Sequence, residues 1–285
     1  MTIGSYVFND LKDHTADMAF LHCADLYLLG QNVIKKLNWK FDFDKMELYV
    51  SKNPFELAQN EIVWPITSYK GNRPHINYSL GSKTYKNLLV DTGFTGIFEL
   101  DSTNSEFLEI YSQKQKSGKS HEIITSSMGL MGLGKPSLNR HFRIDSLFID
   151  QTLFSDLPVV INPSAEPKIG IYFFHNYCKT TTFNFSNNTI LLDLRPQKLD
   201  EKPLLDGRVS IQNGKFIITA KAIGNNSSIK ELNINDEILT VNNKRVSDFK
   251  DECEFLLCMY LFKEPELTLE KLNGQKIILK RWTWN

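Results

Sequence analysis

The sequence predicts a mainly β fold built from more than one unit, and three observations support this class. Apolar and polar residues alternate over short runs such as 74–80, and turn-forming pairs such as Gly71-Asn72 separate the runs. Aromatic residues make up 12% of the 285 residues, including 19 Phe, and aromatic side chains favour strands. Two proline-containing segments, 53–66 and 195–203, divide the chain. A chain of this length can hold two or three domains, each with its own core.

Composition and charge argue against several classes of function. Lys plus Arg equals Asp plus Glu, at 33 each, so the net charge is zero and no basic surface for nucleic acid is indicated. No run of eighteen apolar residues predicts a transmembrane segment. The first residues also lack the basic and then apolar pattern of a signal peptide, although a trimmed form of an exported protein fits the same observation.

The cysteines and histidines give no sign of a metal site or of thiol catalysis. Cys23, Cys178, Cys253 and Cys258 are scattered, no CxxC pair occurs, and the six histidines form no cluster. No Ser/His/Asp or Cys/His pattern can be assigned. We therefore expect no metal, no cofactor and four buried free thiols, with Cys253 and Cys258 on one helix but not directly above each other.

Residues 1–52 contain a pattern that recurs about 140 residues later. Leu29-Gly30 is followed by a short helical run, an alternating strand, a polar turn and a closing strand that ends at Val50. The same order of elements follows Ile169-Gly170 and ends at Leu192. The repeat predicts two related structural units.

The strongest chemical signal lies around an Asp-Thr-Gly triplet. An apolar run, 88–90, delivers Asp91 to a turn formed by Thr92 and Gly93, and a second apolar run, 97–98, leaves it. A carboxylate at a loop tip can share one proton with a second carboxylate, so that one activates water while the other donates to the substrate. Gly93 suits a loop that other backbone must approach closely, and the Thr92 hydroxyl can brace a facing loop.

This segment resembles the active-site signature of the aspartic proteases. Residues 90–96, Val-Asp-Thr-Gly-Phe-Thr-Gly, are similar to the retropepsin-like group in particular. The resemblance implies that Asp91, Thr92 and Gly93 form half of a catalytic site for peptide-bond hydrolysis, a mechanism that needs no metal and no covalent intermediate. An unrelated β-barrel with Asp-Thr-Gly in an ordinary turn is the alternative.

A second element of that family lies about eighty residues after the triplet. Members carry an apolar-apolar-Gly element behind the catalytic loop, then a short helix and a closing hairpin, and Ile169-Gly170 opens such a series here. The resemblance implies a complete retropepsin-like β-barrel lobe over 65–194 and a partial first lobe over 1–52 whose own triplet is missing. Asp13-His14-Thr15 is a poor substitute, because it lacks Gly and lies too close to Leu29-Gly30.

Residues 125–136 form the most glycine-dense stretch of the chain. They contain no Gly-Lys-Ser/Thr or GxGxxG pattern, so a phosphate-binding loop is not predicted. In a protease-like lobe they fall where a flap or surface hairpin is expected, with Met and Leu side chains to contact an extended peptide. A hairpin without a ligand is equally compatible. His121, His141 and His175 are expected to be surface or hydrogen-bonded core histidines.

Residues 204–285 follow the polar linker 195–203 and resemble a PDZ domain. The similar segments are 204–211, 214–220 and 229–242, and Glu231 and Asn235 replace the two glycines of the family's Gly-Leu-x-x-Gly-Asp motif. Asn tolerates a left-handed backbone, so the second replacement is mild. We expect an independently folding PDZ-like β-sandwich or barrel that includes a helix over 250–262.

PDZ domains bind an extended peptide by strand addition and hold its C-terminal carboxylate on backbone amides. The resemblance implies peptide-binding residues in one loop and one strand: Leu205, Asp206, Gly207, Arg208, Val209, Phe216 and Ile218. Asp206 places negative charge near the expected carboxylate, which conflicts with carboxylate capture. Binding of internal peptide segments, or an intramolecular bracing role, stays open.

Two functions from different classes follow from these patterns. The first is an aspartic endopeptidase that acts on a polypeptide substrate once a second aspartate is supplied, for instance by a homodimer. The second is a catalytically incomplete protease-like scaffold that binds peptides. Whether the chain is an enzyme depends on that second carboxylate. By analogy with bacterial PDZ-bearing members of the family, an exported, periplasmic location is expected.

Overall fold

The computed structural model describes residues 2–9, 23, 29–126, 128–129, 132–163, 166–199, 203–223 and 229–282. The predicted fold class is confirmed at the level of mainly β, with 50% strand and 15% helix. None of the described helices combines the length and apolar character that a membrane crossing requires. Asp13 and its neighbours lie outside the described residues.

The described strands are between two and 13 residues long. They are β1 Thr2–Ile3, β2 Tyr6–Val7, β3 Asn38–Asp42, β4 Glu47–Ser51, β5 Glu61–Pro65, β6 Ser68–Lys70, β7 Arg73–Leu80, β8 Lys83–Asp91, β9 Phe98–Leu100, β10 Ser120–Thr125, β11 Met128–Gly129, β12 Gly132–Leu133, β13 Ser137–Ile149, β14 Thr152–Ile161, β15 Lys168–Gly170, β16 Cys178–Asn184, β17 Thr189–Leu194, β18 Leu204–Leu205, β19 Gly207–Gln212, β20 Lys215–Ile223, β21 Glu237–Val241, β22 Glu266–Lys271 and β23 Lys276–Trp282. The α-helices are α1 Gln31–Ile34, α2 Ser105–Lys116, α3 Ile171–Tyr177 and α4 Glu252–Leu261, and Val246–Asp248 form a 3₁₀ turn.

Six strands close into a barrel in the order β13, β14, β9, β15, β8 and β7, and β7 pairs back onto β13. Closure removes the exposed edges of an open sheet. The barrel interior and its flanks hold a large apolar cluster that includes Ile76, Leu88, Phe98, Phe142 and Ile169. The polar run 112–120 begins inside α2, whose Phe107 and Tyr111 are one turn apart and buried.

A five-stranded sheet lies beside the barrel in the order β4, β3, β16, β17 and β5. The β3–β4 hairpin comes from the repeat in residues 1–52, and the β16–β17 hairpin follows the barrel. β3 pairs antiparallel with β16, so the two copies of the repeat meet at the centre of this sheet. The short helices and hairpins predicted after Leu29-Gly30 and after Ile169-Gly170 are both present.

The C-terminal unit has a core of its own, formed by residues between Val209 and Leu279. The predicted helix is confirmed as α4, and the Asp251 side chain caps it by accepting from the Glu254 amide at 2.9 Å. Asn235 has a φ of 72°, a left-handed backbone that asparagine tolerates. The turn between β19 and β20 likewise uses left-handed Asn213 and Gly214.

A strand ladder joins the C-terminal unit to the barrel. The second half of β20, Ala220 to Ile223, pairs antiparallel with β10, so that Thr125 lies opposite Ala220 and Glu122 opposite Ile223. Trp282, at the end of β23, stacks on His121 with ring centroids 4.0 Å apart and meets His141 edge-on at 6.0 Å. Two hydrophobic cores therefore share one continuous sheet.

The expectation of four buried free thiols is wrong for three of them. Cys23 and Cys253 form a disulfide, with Cα atoms 4.8 Å apart and a sequence separation of 230. Cys258 is a free and exposed thiol, and only Cys178 is free and buried. Burial raises the pKa of Cys178 to about 12 and keeps its thiol protonated. The sequence cannot reveal such a pairing, because connectivity depends on which distant segments meet.

Limited proteolysis tests the linker and the disulfide together. We expect cleavage within the polar linker 195–203 to give two fragments that migrate as one species on a non-reducing denaturing gel, because Cys23 and Cys253 lie on opposite sides of the cut. Reduction should separate them. Cys253→Ser should separate them without a reductant, and Cys258→Ser is the matched control. Separation of the unsubstituted protein without reductant would contradict the disulfide.

His141 lies where the barrel meets the C-terminal unit. It sits on β13 directly opposite His121 of β10, and it is buried against Trp282. Burial, with a smaller contribution from the charge of His121, lowers the pKa of His141 from 6.5 to about 4. Between about pH 4 and pH 6.5, His141 is therefore neutral in the folded protein but protonated in the unfolded chain.

Acidification should destabilise the fold through His141. Because the folded pKa lies below the unfolded value, the unfolded state binds the proton first, and stability falls as pH drops from about 6.5 towards 4. The shift corresponds to about 3 kcal/mol across that window. Urea unfolding of wild type and His141→Leu at pH 7.5, 5.5 and 4.5 measures the effect as a difference that grows with acidity. Equal losses of unfolding free energy in both proteins would show that carboxylates alone cause the acid sensitivity.

Candidate active site

The Asp91 loop begins where β8 leaves the barrel. Leu88, Leu89 and Val90 are buried and anchor the strand, whereas Asp91 is half-buried and Gly93 is exposed. The Gly93 amide donates to the Asp91 Oδ1 at 3.0 Å, and the Phe94 amide donates to the Asp91 carbonyl at 3.1 Å. The turn therefore holds the carboxylate at the end of a rigid strand, as the sequence predicts for this triplet.

β15 passes directly behind this loop. It runs parallel to β8, with Gly170 opposite Asp91, and antiparallel to β9. The Gly170 amide donates to the Ile97 carbonyl at 3.1 Å, and the Ile171 amide donates to the Phe94 carbonyl at 2.9 Å. A Cβ on Gly170 would lie 2.3 Å from the Gly96 carbonyl oxygen and 2.4 Å from the Phe94 carbonyl oxygen. Only glycine fits this crossing.

A buried carboxylate that the sequence analysis missed braces the far side of the loop. The Asn162 side-chain Nδ2 donates to Glu99 Oε1 at 2.8 Å, and Lys168 Nζ lies 2.9 Å from Glu99 Oε2. The same Nζ lies 4.4 Å from the centre of the Phe94 ring, within cation–π range. Both Glu99 oxygens are thus engaged by neighbours, which argues against Glu99 as the second carboxylate of a catalytic pair. Only the folded chain brings these residues together.

A second polar cluster supports the strand that carries Asp91. His75 is fully buried opposite Leu89, and its ring nitrogens lie 2.9 Å from the Arg73 carbonyl and 3.2 Å from Glu166 Oε1. Burial disfavours ionisation of Glu166, but the hydrogen bond from His75 and the charge of Arg73 outweigh it and lower the pKa of that carboxyl. The Leu89 amide also donates to the Pro167 carbonyl at 2.9 Å. β8 is therefore fixed from both sides.

The two hairpins of the five-stranded sheet have the same internal register. Lys40 lies opposite Tyr49 in the first hairpin, and Thr182 lies opposite Leu191 in the second, so equivalent residues are 142 positions apart. Lys40 also lies opposite its own equivalent, Thr182, where β3 pairs with β16. A local two-fold axis therefore passes through this pair and relates the two copies of the repeat.

The two copies differ in how much of their surface is covered. Leu48 is 51% exposed, whereas its equivalent Ile190 is fully buried, and Tyr49 is 41% exposed, whereas Leu191 is 3% exposed. β17 is covered along one edge by β5, but among the described residues β4 has no partner strand on its outer edge. The first copy therefore lacks the packing partners that the barrel gives to the second.

An apolar cavity of about 250 Å³ lies between the first copy and the Asp91 loop. Its walls come from α1 and its approach, the central sheet, and the loop itself: Leu29, Gln31, Ile34, Trp39, Phe41, Leu48, Pro74, Val90, Thr92, Gly93, Phe183 and Phe185. The Gln31 Oε1 is buried without a hydrogen-bond partner among the described residues. The cavity has Thr92 and Gly93 on one side and Leu29 on the other, so it separates the Asp91 loop from the start of the first copy.

The glycine-rich stretch extends from the barrel as a hairpin. β10 and β13 form its base, with Thr125 opposite Ser137, and β11 pairs with β12 near its tip. The side chains of 127–133, which include the Met and Leu residues expected to contact a peptide, lie outside the described residues. The flap interpretation therefore stays a prediction.

Most of the predicted PDZ-like loop is hydrogen-bonded to neighbouring strands. Leu205 lies opposite Arg281, and the Asp206 amide donates to the Lys280 carbonyl at 2.9 Å while Asp206 Oδ1 accepts from the Lys280 amide at 2.9 Å. Gly207 lies opposite Lys221 at the start of the β19–β20 ladder. The Asp206 carboxylate is thus buried against β23. The backbone amide of Asp206 is already hydrogen-bonded and is not available to a peptide carboxylate.

The open strand edge lies on β19 and not on the strand that carries Phe216 and Ile218. Both of these side chains are fully buried in the C-terminal core, and β20 is paired on both edges, with β19 on one side and β21 and β10 on the other. Among the described residues, β19 pairs only with β20, and α4 lies across from it. Val209 is buried, and Arg208 Nη2 donates to the carbonyl of Ser126, which directly follows β10.

Neither a scan against protein-family models nor a search of curated proteins found a match for this chain. The chemistry of the site must therefore be read from its geometry. Among the described residues, no group of three His, Cys, Asp or Glu side chains is arranged to hold a metal ion. Asp91 combines a carboxylate with surrounding backbone that holds the side chain in place.

Proposed function

We propose that residues 65–194 form a retropepsin-like lobe whose Asp91 supplies one of the two carboxylates of an aspartic endopeptidase. The observation that carries the proposal is the crossing of Gly170 behind the Asp91 loop, where two backbone carbonyls leave no room for a side chain. An ordinary Asp-Thr-Gly turn needs no such element. The six-stranded barrel and the short α3 after the crossing support the same assignment.

The chemistry requires two carboxylates that share a proton. One acts as a base on water, and the other donates to the carbonyl oxygen of the peptide bond. Asp91 alone cannot hold both roles. Glu99 is committed to Asn162 and Lys168, and Glu166 is committed to His75 and Arg73, so neither competes for the second role.

The local two-fold axis supports a position for the proposed second carboxylate. Leu29-Gly30 is the counterpart of Ile169-Gly170, and the cavity beside Thr92 separates it from the Asp91 loop. We infer that a second Asp-Thr-Gly loop in front of Gly30, supplied by a further polypeptide segment, completes the pair. A homodimer of this chain is the weaker source, because β3 already occupies the edge of β16.

A second candidate function is peptide binding without catalysis. The open edge of β19 opposite α4 favours it, because strand addition needs an unpaired edge and a facing wall. In that case residues 204–285 would act as a PDZ-like binding unit, and the barrel would act as its scaffold. The Cys23–Cys253 disulfide is in keeping with an oxidising compartment in either case.

A concentration series of peptide cleavage tests the proposal. We expect this chain in dilute solution to be nearly inert towards an apolar-rich peptide library, with inhibitor-sensitive cleavage only when a second Asp-Thr-Gly lobe is present. Activity from a homodimer would rise with the square of protein concentration and would be blocked by a pepstatin-type inhibitor. Inhibitor-sensitive cleavage that is first order in dilute protein would mean that another carboxylate of this chain completes the pair.

A further inference from the structure

We propose that a polar cavity at the start of α2 binds a small zwitterion, an α-amino acid with an apolar side chain. The cavity has a volume of about 330 Å³, which is within the range of small-molecule sites. Its walls come from β7, β8, the end of β9 and the start of α2. Within the described chain it shares no lining residue with the cavity beside Thr92, so the site does not depend on the proposed function.

The Tyr78 hydroxyl is a buried polar group that needs a partner. The Tyr78 side chain lines the cavity and is only 3% exposed. Its ring stacks on Tyr85 with centroids 5.0 Å apart and meets Phe98 edge-on at 5.6 Å. Among the described residues, none forms a hydrogen bond with the Tyr78 hydroxyl. Because an unpaired buried hydroxyl is costly, a polar ligand atom in the cavity is the partner that it lacks.

The surroundings of Tyr78 make its hydroxyl a donor that faces the cavity. Burial raises the pKa of Tyr78, and the negative charge of Asp101 adds to the rise, so the hydroxyl stays protonated. Asp101 also lines the cavity, which places the Tyr78 hydroxyl and this open space on the same side of the ring. The Tyr85 hydroxyl is already used, because it donates to Glu106. Tyr78 is therefore free to donate to an anionic oxygen of a ligand.

The start of α2 and the Lys86 ammonium favour a carboxylate in this cavity. α2 is twelve residues long, and the side chain of its N-cap residue, Asn104, makes no capping hydrogen bond. The first amides of a helix have no partner within the helix and carry a partial positive charge. Lys86 lines the cavity, is exposed and, in the described part of the chain, forms no ion pair. Lys83 differs, because its Nζ lies 2.8 Å from Glu106 Oε1.

The Asp101 carboxylate argues against a bare anion as the ligand. Its Oδ1 accepts from the Thr103 amide at 2.8 Å and from the Thr103 hydroxyl at 2.5 Å, which fixes the carboxylate at the wall of the cavity. Its negative charge would repel an added anion, and the charge of Lys86 would repel a bare cation. An α-amino acid carries a carboxylate and an ammonium without net charge, so it suits both signs. Leu100 and Pro167 line the same space, which favours an apolar side chain.

Ligand-observed NMR titrations of the intact, oxidised chain test the site. The probe is L-leucine, and three analogues each change one group: N-acetyl-L-leucine lacks the ammonium, L-leucinamide lacks the carboxylate, and the α-hydroxy acid analogue of leucine has a hydroxyl in place of the ammonium. Inorganic phosphate tests a bare anion. We expect L-leucine to bind with a Kd of about 1 mM or below. Each analogue should bind about tenfold more weakly, the size expected for one hydrogen bond to a charged group.

Tyr78→Phe tests the hydroxyl that carries the proposal. It removes only an oxygen that bonds nothing in the described chain, so the fold should be as stable as before, whereas the Kd for L-leucine should rise about tenfold. Lys86→Met should raise the Kd for L-leucine about threefold and leave that for L-leucinamide unchanged. Tyr69→Phe is the matched control, because the Tyr69 hydroxyl donates to Asn188 outside the cavity, and its Kd should be unchanged.

Three outcomes would overturn the assignment. The absence of binding by L-leucine and all of its analogues would remove the cavity as an amino-acid site. Phosphate or N-acetyl-L-leucine binding as tightly as L-leucine would show that the ligand is a simple anion and not a zwitterion. An unchanged Kd for Tyr78→Phe, or an equal rise for Tyr69→Phe, would place the ligand away from the Tyr78 hydroxyl.

Discussion

Asp91→Asn is expected to lower kcat/KM for peptide cleavage by about 10²–10⁴-fold in any preparation in which the unsubstituted protein is active. The substitution removes a carboxylate that must exchange a proton with its partner and activate water, and acid–base catalysis is worth about this much. The fold should not change, because the amide oxygen of asparagine can still accept from the Gly93 amide at the position of Asp91 Oδ1. Steady-state assays with one fluorogenic peptide, together with a urea unfolding curve for each variant, provide the measurement.

Asp101→Asn is the matched control for Asp91→Asn. Asp101 follows β9, and its Oδ1 accepts from the Thr103 amide at 2.8 Å, so it is a loop aspartate with a similar local role. Its substitution should leave kcat/KM within about threefold of the unsubstituted protein. Equal activity of the Asp91 and Asp101 variants would show that the Asp-Thr-Gly triplet is an ordinary turn, and it would favour the peptide-binding scaffold.

Gly170→Ala is expected to have the largest effect on stability of any glycine substitution in the described residues. The new methyl group would lie within 2.5 Å of two backbone carbonyl oxygens, Phe94 and Gly96, and backbone cannot move aside as a flexible side chain can. Overpacking of this kind costs about 3 kcal/mol. Urea unfolding should therefore show a lower midpoint, and an amide exchange profile should show faster exchange in residues 91–97.

Gly30→Ala is a control from within the same molecule. Gly30 is the counterpart of Gly170 in the first copy of the repeat, but among the described residues a Cβ there would meet only the side chain of Asn32, at 2.7 Å, and not backbone. We expect a loss of no more than about 0.5 kcal/mol. Similar losses of stability in the two variants would show that the close backbone contacts behind the Asp91 loop do not make Gly170 special.

The pair of glycines also reports on the proposed second lobe. If a second Asp-Thr-Gly loop docks in front of Gly30, the methyl group of the Gly30→Ala variant should block that docking. The variant should then stay inactive when the lobe that carries the second loop is added. Gly30 would then acquire the constraint that Gly170 has now. The comparison separates an intrinsic property of this chain from one that only the completed site would have.

The local elements around the candidate site could be predicted from the sequence because their signals lie within a few residues. The apolar run before Asp91, the Asp-Thr-Gly turn and the helix after Gly170 are each a short pattern with one physical meaning. Asn235 adopts a left-handed backbone, which asparagine tolerates. α2 was missed because its lysines and glutamines resemble a solvated loop, although Phe107 and Tyr111 mark one buried face.

The sequence by itself determined the order of strands and turns and the internal repeat, and its resemblance to a known family implied that a distant glycine lies behind the Asp-Thr-Gly triplet. Only the tertiary structure decided which strand edges meet. Alternation of apolar residues tells which face of a strand is buried, but it carries no information about the neighbour on either edge. For that reason the open edge at β19, the β10–β20 ladder held by Arg208, the Cys23–Cys253 disulfide and the burial of Phe216 and Ile218 emerged only when the chain was folded.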